Sequence, residues 1–208
     1  MRYYPIHLEL QGKKVVVIGA GSIALQKIEG LLQAGAQVRV IAPEVCEKVA
    51  KLAQEEKIHL EKRVYKKGDL KGAFLVFGAT RQASLHQLIH QEAKAGKILF
   101  NAVDQADECD FIVPARLSRG NLLIAISSGL PFLSKMLRKY LEKKFPPSWG
   151  EFVLKLSLLR KKILAQGKGE ALAAFFETRG EELMPLLLKN HWNEFEEIIK
   201  QEFDLKDL

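Results

Sequence analysis

Val15-Val16-Val17-Ile18-Gly19-Ala20-Gly21-Ser22-Ile23-Ala24 is the stretch whose reading decides the fold of this 208-residue chain. Four consecutive β-branched residues suit a strand buried on both faces. Gly19, Gly21 and Ala24 then form G-x-G-x-x-A, where small residues let the backbone approach a pyrophosphate and a helix amino terminus supplies amide donors and the positive dipole end. The same string also serves a tight structural turn, so its neighbours matter. Outward from it, residues 23–34 carry Ile23, Ala24, Ile28, Leu31 and Leu32 at helical spacing, and residues 38–42 form a second apolar β-rich run. Helices over 44–54 and 84–95, and strands over 58–64, 74–79 and 98–103, follow from the same patterns. Strand and helix alternate throughout. The first part, residues 1–112, is therefore expected to be an α/β domain, a Rossmann-like doubly wound parallel sheet.

After residue 112 the rhythm changes. Apolar runs over 111–117 and 122–127 are separated by Ser118, Arg119, Gly120 and Asn121, which predicts a hairpin. Pro131 suits the first turn of a helix that runs to Lys144, with Phe132, Met136, Leu137, Tyr140 and Leu141 on one side, and Pro146-Pro147 ends it. From Trp149 onwards the period is helical, with breaks expected near 167–169 and 179–180. Three parts result: the nucleotide-binding domain at 1–112, a small α+β segment at 113–145 and a helical C-terminal domain at 146–208. A strand pair with one helix buries its apolar surface poorly by itself, and a second copy covers it most simply. The 113–145 part is thus expected to be a dimerisation segment, and the protein a homodimer.

Composition narrows the function. With 48% hydrophobic and 27% charged residues the chain reads as a folded soluble protein. Its longest apolar runs, such as 74–79 and 122–126, fall far short of the roughly 20 residues that span a bilayer. No membrane association is expected, and without a secretory pattern at the amino terminus the expected location is cytoplasmic. The net charge of +7 is unevenly placed: residues 113–145 hold Arg116, Arg119, Lys135, Arg138, Lys139, Lys143 and Lys144 against Glu142 alone, whereas 146–208 hold nine basic and 11 acidic residues. Such a field attracts anions without choosing among them. No aromatics interleave with the basic residues and no zinc-finger or RNA-recognition motif occurs, so nucleic acid is not the expected partner. Cys46 and Cys109 lack zinc-type spacing and disulfide-scaffold density, which makes buried or idle thiols of both.

Candidate site residues gather at strand ends. Thr80, after Gly78 and Ala79, lies on the edge where such sheets bind ligands, or it caps a helix. Asp104 follows Asn101-Ala102-Val103 on that same edge, where a carboxylate can take up a proton as hydride leaves a substrate, or can cap a loop. Asp107, Glu108 and Asp110 suit a solvated turn equally well and stay unassigned. At the end of the second strand Ile41 and Ala42 stand where a ribose-binding carboxylate is usual, and the first acid is Glu44 after Pro43, so the residues leave NAD and NADP open. His86 and His90 have i, i+4 spacing that can present two imidazoles to a metal. No third ligand accompanies them. A surface or sheet-packing role is expected, and no metal is assigned.

Together these pieces resemble the precorrin-2 dehydrogenase and sirohydrochlorin ferrochelatase family, whose members also form the amino-terminal half of bifunctional siroheme synthases. The matching pieces are Tyr4-Pro5-Ile6 with Leu10, residues 17–24 with Lys27, Leu32-Gln33-Ala34-Gly35-Ala36 leading to Ile41-Ala42-Pro43-Glu44, Phe77-Gly78-Ala79-Thr80, Asn101-Ala102-Val103-Asp104, Phe111-Ile112-Val113-Pro114-Ala115, and Ala125-Ile126-Ser127-Ser128-Gly129 followed by Leu137-Arg138. They run in family order across about residues 3–145. The resemblance implies NAD-dependent oxidation of precorrin-2 to sirohydrochlorin, with Asp104 in the place of the catalytic aspartate. It places NAD against Gly19, Gly21, Ser22, Ile23, Pro43 and Glu44, with Thr80 near the nicotinamide side. Arg116, Arg119, Ser127, Ser128 and Arg138 become candidates for the tetrapyrrole substrate, whose carboxylates suit a basic segment. Some members also insert Fe²⁺. One departure is visible: after Gly129 the family has a longer turn, whereas here Leu130-Pro131 leads straight to Phe132. A rival reading is a non-catalytic NAD-sensing regulatory dimer, which requires binding without turnover.

Overall fold

The computed structural model describes residues 2–80, 83–103 and 106–205, without the side chains of Ala83 and Ala106. The chain divides into two compact units, 1–113 and 114–208. In the first, strands β1 (Lys14–Ile18), β2 (Gln37–Ile41), β3 (His59–Glu61), β4 (Leu75–Gly78) and β5 (Leu99–Ala102) form one sheet in the order β3-β2-β1-β4-β5. Every pairing is parallel. Helices α1 (Ser22–Gln33), α2 (Glu47–Gln54) and α3 (Ala83–Ala95) connect the strands. Because side chains alternate along a strand, Val15, Val17, Val38 and Val40 meet Ala24, Ile28 and Leu31 of α1 and Val49 of α2 on one face. Val16, Ile18, Ile41, Val76 and Phe100 meet Ile89 and Ala93 of α3 on the other. Helices on both faces leave the sheet no solvated side, and this is the physical reason for the unbroken Val/Ile run of β1. The expected Rossmann-like doubly wound sheet is the fold of this unit.

Some boundaries differ from expectation. β3 keeps three residues of the expected seven; it is an edge strand held by charge as well as by Leu60, which packs against the core. Arg39 of β2 donates from Nε to Glu61 (2.6 Å) and from Nη1 to the Asp69 carbonyl (2.7 Å), and Arg63 donates to both Glu61 and Asp69. Arg39, then Arg63, hold the Glu61 carboxyl down at about 2, against its burial. A carboxylate whose folded pKa lies below its unfolded value of 4.5 stabilises fully above that value and loses its contribution as pH falls towards 2. Glu61→Gln is accordingly expected to lower stability at pH 7 and to flatten the loss of stability between pH 4.5 and 2. Urea unfolding of the two proteins across that range, followed by circular dichroism, checks this; parallel pH profiles refute it.

The second unit pairs antiparallel strands β6 (Ala115–Arg119) and β7 (Leu122–Ile126), joined at Gly120 and Asn121, with α4 (Pro131–Lys144) packed on them. Helices α5 (Trp149–Ala165), α6 (Gly169–Leu188) and α7 (Trp192–Phe203) follow, around Trp149, Phe152, Leu159, Ile163, Phe175, Leu183, Phe195 and Ile199. The hairpin turn meets the first turn of α5 backbone to backbone. A Cβ on Gly120 would lie 3.2 Å from Gly150, and one on Gly150 would lie 3.3 Å from the Gly120 amide nitrogen. The break expected at 179–180 does not occur. Buried Leu172, Phe175 and Leu183 keep one face continuous, Arg179 lies over the Phe175 ring and pairs with Glu182, and these contacts outweigh the cost of about 1 kcal/mol for glycine in a helix. The helix ends later, where Asn190 takes a left-handed conformation (φ 61°) and the His191 amide donates back to Leu186. Among the described residues no helix is long and apolar enough to cross a membrane.

Candidate active site

In the first unit, β1 and β4 lie side by side while the chain leaves them in opposite directions, towards β2 and towards β5. That reversal opens a crevice outside the carboxyl ends of the two strands, the place where open sheets of this kind bind ligands. One lip is Gly19-Ala20-Gly21 and the other Ala79-Thr80. They are tied together and to β2: the Gly19 amide donates to Ile41 (2.9 Å), the Ala79 amide to Ile18 (2.8 Å) and the Cys46 amide to Ala20 (3.0 Å). Gly19 has φ +114°, and a Cβ there would lie 2.3 Å from the Ala79 carbonyl oxygen. Only glycine fits that approach. Gly21 differs, because its φ is −86° and a Cβ on it would meet no described residue within 4 Å. The first glycine closes the fold, and the second borders open space.

Gly21 is also the N-cap of α1; among the described residues no side chain caps the helix, and its first turn contains no acidic residue. The amides of that turn and the positive end of the dipole are therefore available to an anion. Ser22 and Ile23 are exposed beside them, as are Pro43 and Glu44 after β2, while Ile41 and Ala42 are buried. This arrangement fits a pyrophosphate-bearing dinucleotide: an uncapped helix start, a glycine with room above it, and exposed residues beyond β2.

Thr80 ends the described part of the second lip, and its carbonyl oxygen is 2.6 Å from Nε2 of His86, a residue only 3% exposed. His90, one turn further along α3, stacks on Phe100 with ring centroids 5.0 Å apart. Both imidazoles are thus engaged in packing against the sheet. Among the described residues no cluster of three or more metal-ligating side chains forms.

Asp104 lies outside the described residues. The strand leading to it is held with unusual care, by groups that sequence reasoning left idle. The Val103 amide donates to Gly78 (3.1 Å), tying the end of β5 to the second lip. The outer edge of β5 is covered by residues 109–111: the Asp110 carboxylate accepts from the Phe100 amide (2.9 Å), the Asp110 amide donates to the Phe100 carbonyl (2.9 Å), and Asn101 Nδ2 donates to Phe111 (2.8 Å). Cys109 Sγ accepts from the Ala102 amide (3.1 Å) and donates to the Ala102 carbonyl (3.4 Å). Burial, with Asp110 and Glu108 nearby, pushes its thiol pKa up and preserves the S–H that the second bond needs. A thiol and a carboxylate here do the work of a sixth strand. No spacing rule announces that substitution, because it depends on how the loop folds back.

In the second unit, Arg116 and Ser127 are exposed on and beside the hairpin. Arg119 donates from Nε to the Phe145 carbonyl (2.8 Å) and from Nη1 to Ser118 (2.9 Å), so it caps the carboxyl end of α4, where a cation is favoured. Arg138 pairs with Glu142 one turn along α4. Ser128 shares a hydrogen bond with Ser134 (2.8 Å) and donates to the Leu130 carbonyl (2.9 Å), fastening the start of α4.

Residues 6–115 match a protein-family profile described as "Putative NAD(P)-binding". The chain belongs to this NAD(P)-binding family. The matched range contains Gly19, Gly21, Ser22, Ile23, Pro43, Glu44, Thr80 and Asp104. Curated relatives extend the likeness. A siroheme synthase of Nitrosococcus oceani is 36% identical over 152 residues, 72% of this chain and 32% of that protein. Another, of Pseudoalteromonas atlantica, is 40% identical over 148 residues, 70% of this chain and 32% of that protein. The resemblance drawn from the motifs thus meets relatives of the named kind, and the chain spans about a third of their length. A solved structure of SirC, a precorrin-2 dehydrogenase, shares the fold with a TM-score of 0.72 over 96% of this chain and 100% of that one, at 24% identity.

Proposed function

We propose that this protein is an NAD-dependent dehydrogenase of siroheme biosynthesis that oxidises precorrin-2 to sirohydrochlorin. The observation that carries the reading is the glycine-lined lip at the switch point, in a chain whose curated relatives are siroheme synthases. Gly21, Ser22 and Ile23 hold the pyrophosphate through the first turn of α1, and Gly19 closes the loop beside it. Pro43 and Glu44 border the adenosine side, and Thr80 borders the nicotinamide side. When bound, NAD supplies the acceptor for the hydride that the substrate loses. The two-electron oxidation also releases one proton, which the Asp104 carboxylate takes up and passes to solvent. Arg116, Arg119, Ser127, Ser128 and Arg138 are the candidates for holding the carboxylates of the tetrapyrrole, and Arg119 and Arg138 must leave their present partners to do so. Anaerobic incubation with precorrin-2 and NAD tests the reading: NADH absorbance rises with protein, and a rise no faster than in its absence refutes it. Chelation is a separate step with Fe²⁺ as substrate. Siroheme absorbance after adding Fe²⁺ to sirohydrochlorin, with and without protein, decides whether this chain performs it.

The protein also acts, on this reading, as a homodimer through the 113–145 segment. Phe132, Met136 and Tyr140 recur every fourth residue along α4 and are 63%, 62% and 57% exposed, an apolar stripe that a monomer leaves in water. Phe132→Ser with Met136→Lys is expected to convert a dimer into a monomer in sedimentation equilibrium. A variant that sediments like the wild type refutes this interface.

A further inference from the structure

The buried imidazole of His86 lies beneath the second lip of the crevice, and none of the functional roles above uses it. A carbonyl oxygen only accepts hydrogen bonds, so the 2.6 Å contact with Thr80 requires that Nε2 carry the proton. The ring is 3% exposed, and a Cβ on Gly78 would lie 3.8 Å from the same nitrogen, so the imidazole is wedged under the very end of β4. It enters from α3, whose Ile89 and Ala93 are fixed in the core against Val76 and Phe100, so the donor is mounted on a rigid element. Thr80 itself follows the last residues of β4 without belonging to strand or helix. A donor that is buried and mounted on a rigid helix fixes the direction of the carbonyl it bonds, and so the shape of the lip.

From this we infer that His86 is a positioning residue for the cofactor: its Nε2–H locks the Thr80 carbonyl away from the crevice and so sets the lip that borders the nicotinamide half of the dinucleotide. The inference rests on the NAD reading above and concerns one half of that ligand only. It makes two statements that mere packing does not. Loss of the donor weakens binding of NAD but spares ADP-ribose, which lacks the nicotinamide ring, and a side chain that restores an N–H at the same reach restores the affinity.

His86→Leu removes the donor while keeping apolar volume, and His86→Gln offers an amide N–H in its place. Isothermal titration of folded proteins with NAD and with ADP-ribose reads the outcome. For His86→Leu, NAD binding is expected to weaken about ten-fold with ADP-ribose within about two-fold of wild type, and His86→Gln to recover most of the difference. Equal affinities in all three proteins, equal loss of both ligands in His86→Leu, or no recovery in His86→Gln overturns the assignment. If His86→Leu does not fold, the ratio of NAD to ADP-ribose affinity in His86→Gln decides: preserved within about two-fold it supports the role, and lost it overturns it. A wild-type protein that binds neither ligand overturns the NAD reading instead, so the two failures are distinguishable.

Discussion

Asp104→Ala is expected to lower kcat for precorrin-2 oxidation by at least about 100-fold, the usual scale for losing a general base, while the affinity for NAD stays within about two-fold. The two halves of that result separate its roles. Cofactor binding depends on the first turn of α1 and the lips of the crevice, which lie on other strands, so removing a carboxylate after β5 leaves those donors in place. The acids that follow it in the sequence have partners of their own: Asp110 accepts from the Phe100 amide, Asp107 pairs with Arg2, and Glu108 lies 4.0 Å from His90 Nδ1. Steady-state NADH formation gives kcat, and fluorescence titration with NADH or calorimetry with NAD gives binding. Unchanged turnover removes Asp104 from the chemistry. Lost binding moves it from proton transfer to cofactor holding.

Gly21→Asp is expected to weaken NAD binding by at least about 100-fold, equivalent to about 2.7 kcal/mol, without lowering thermal stability. A Cβ at this position meets no described residue within 4 Å and the backbone conformation suits any residue, so the fold accepts the side chain. The new carboxylate, however, lies at the uncapped start of α1. There it competes for the amides and repels a pyrophosphate. Gly19→Ala is the contrasting control. Its Cβ would collide with the Ala79 carbonyl at a positive φ, and the first unit is expected to lose about 3 kcal/mol or more. Calorimetry for binding and thermal melts for stability distinguish the two glycines. Wild-type affinity in Gly21→Asp would mean that no pyrophosphate sits at this helix.

The contrast between those glycines marks a boundary between sequence and structure. G-x-G-x-x-A after Val15-Val16-Val17-Ile18 announces a strand, a tight turn and a helix start, because burial on both faces, chain reversal and anion approach each demand particular residue types. It does not say that the Ala79 carbonyl, sixty residues on, crowds Gly19, whereas a Cβ on Gly21 would meet no described residue within 4 Å. Likewise, Arg119 and Arg138 belong to a basic segment in the sequence, yet in the folded chain one caps α4 and the other pairs with Glu142. Charge count is additive along a chain, while the availability of a charge depends on its neighbours in space.

By itself the sequence determined the doubly wound sheet, the change of pattern after residue 112 and the helical carboxyl-terminal part. All of these follow from local periodicity, which burial enforces over a few residues at a time. Only the tertiary structure decided that His86 serves the Thr80 carbonyl, that Cys109 and Asp110 complete the edge of β5, and that α6 runs unbroken through Gly180. Each depends on where a distant segment returns to meet a backbone group, and that distance is set by the packed core rather than by spacing along the chain.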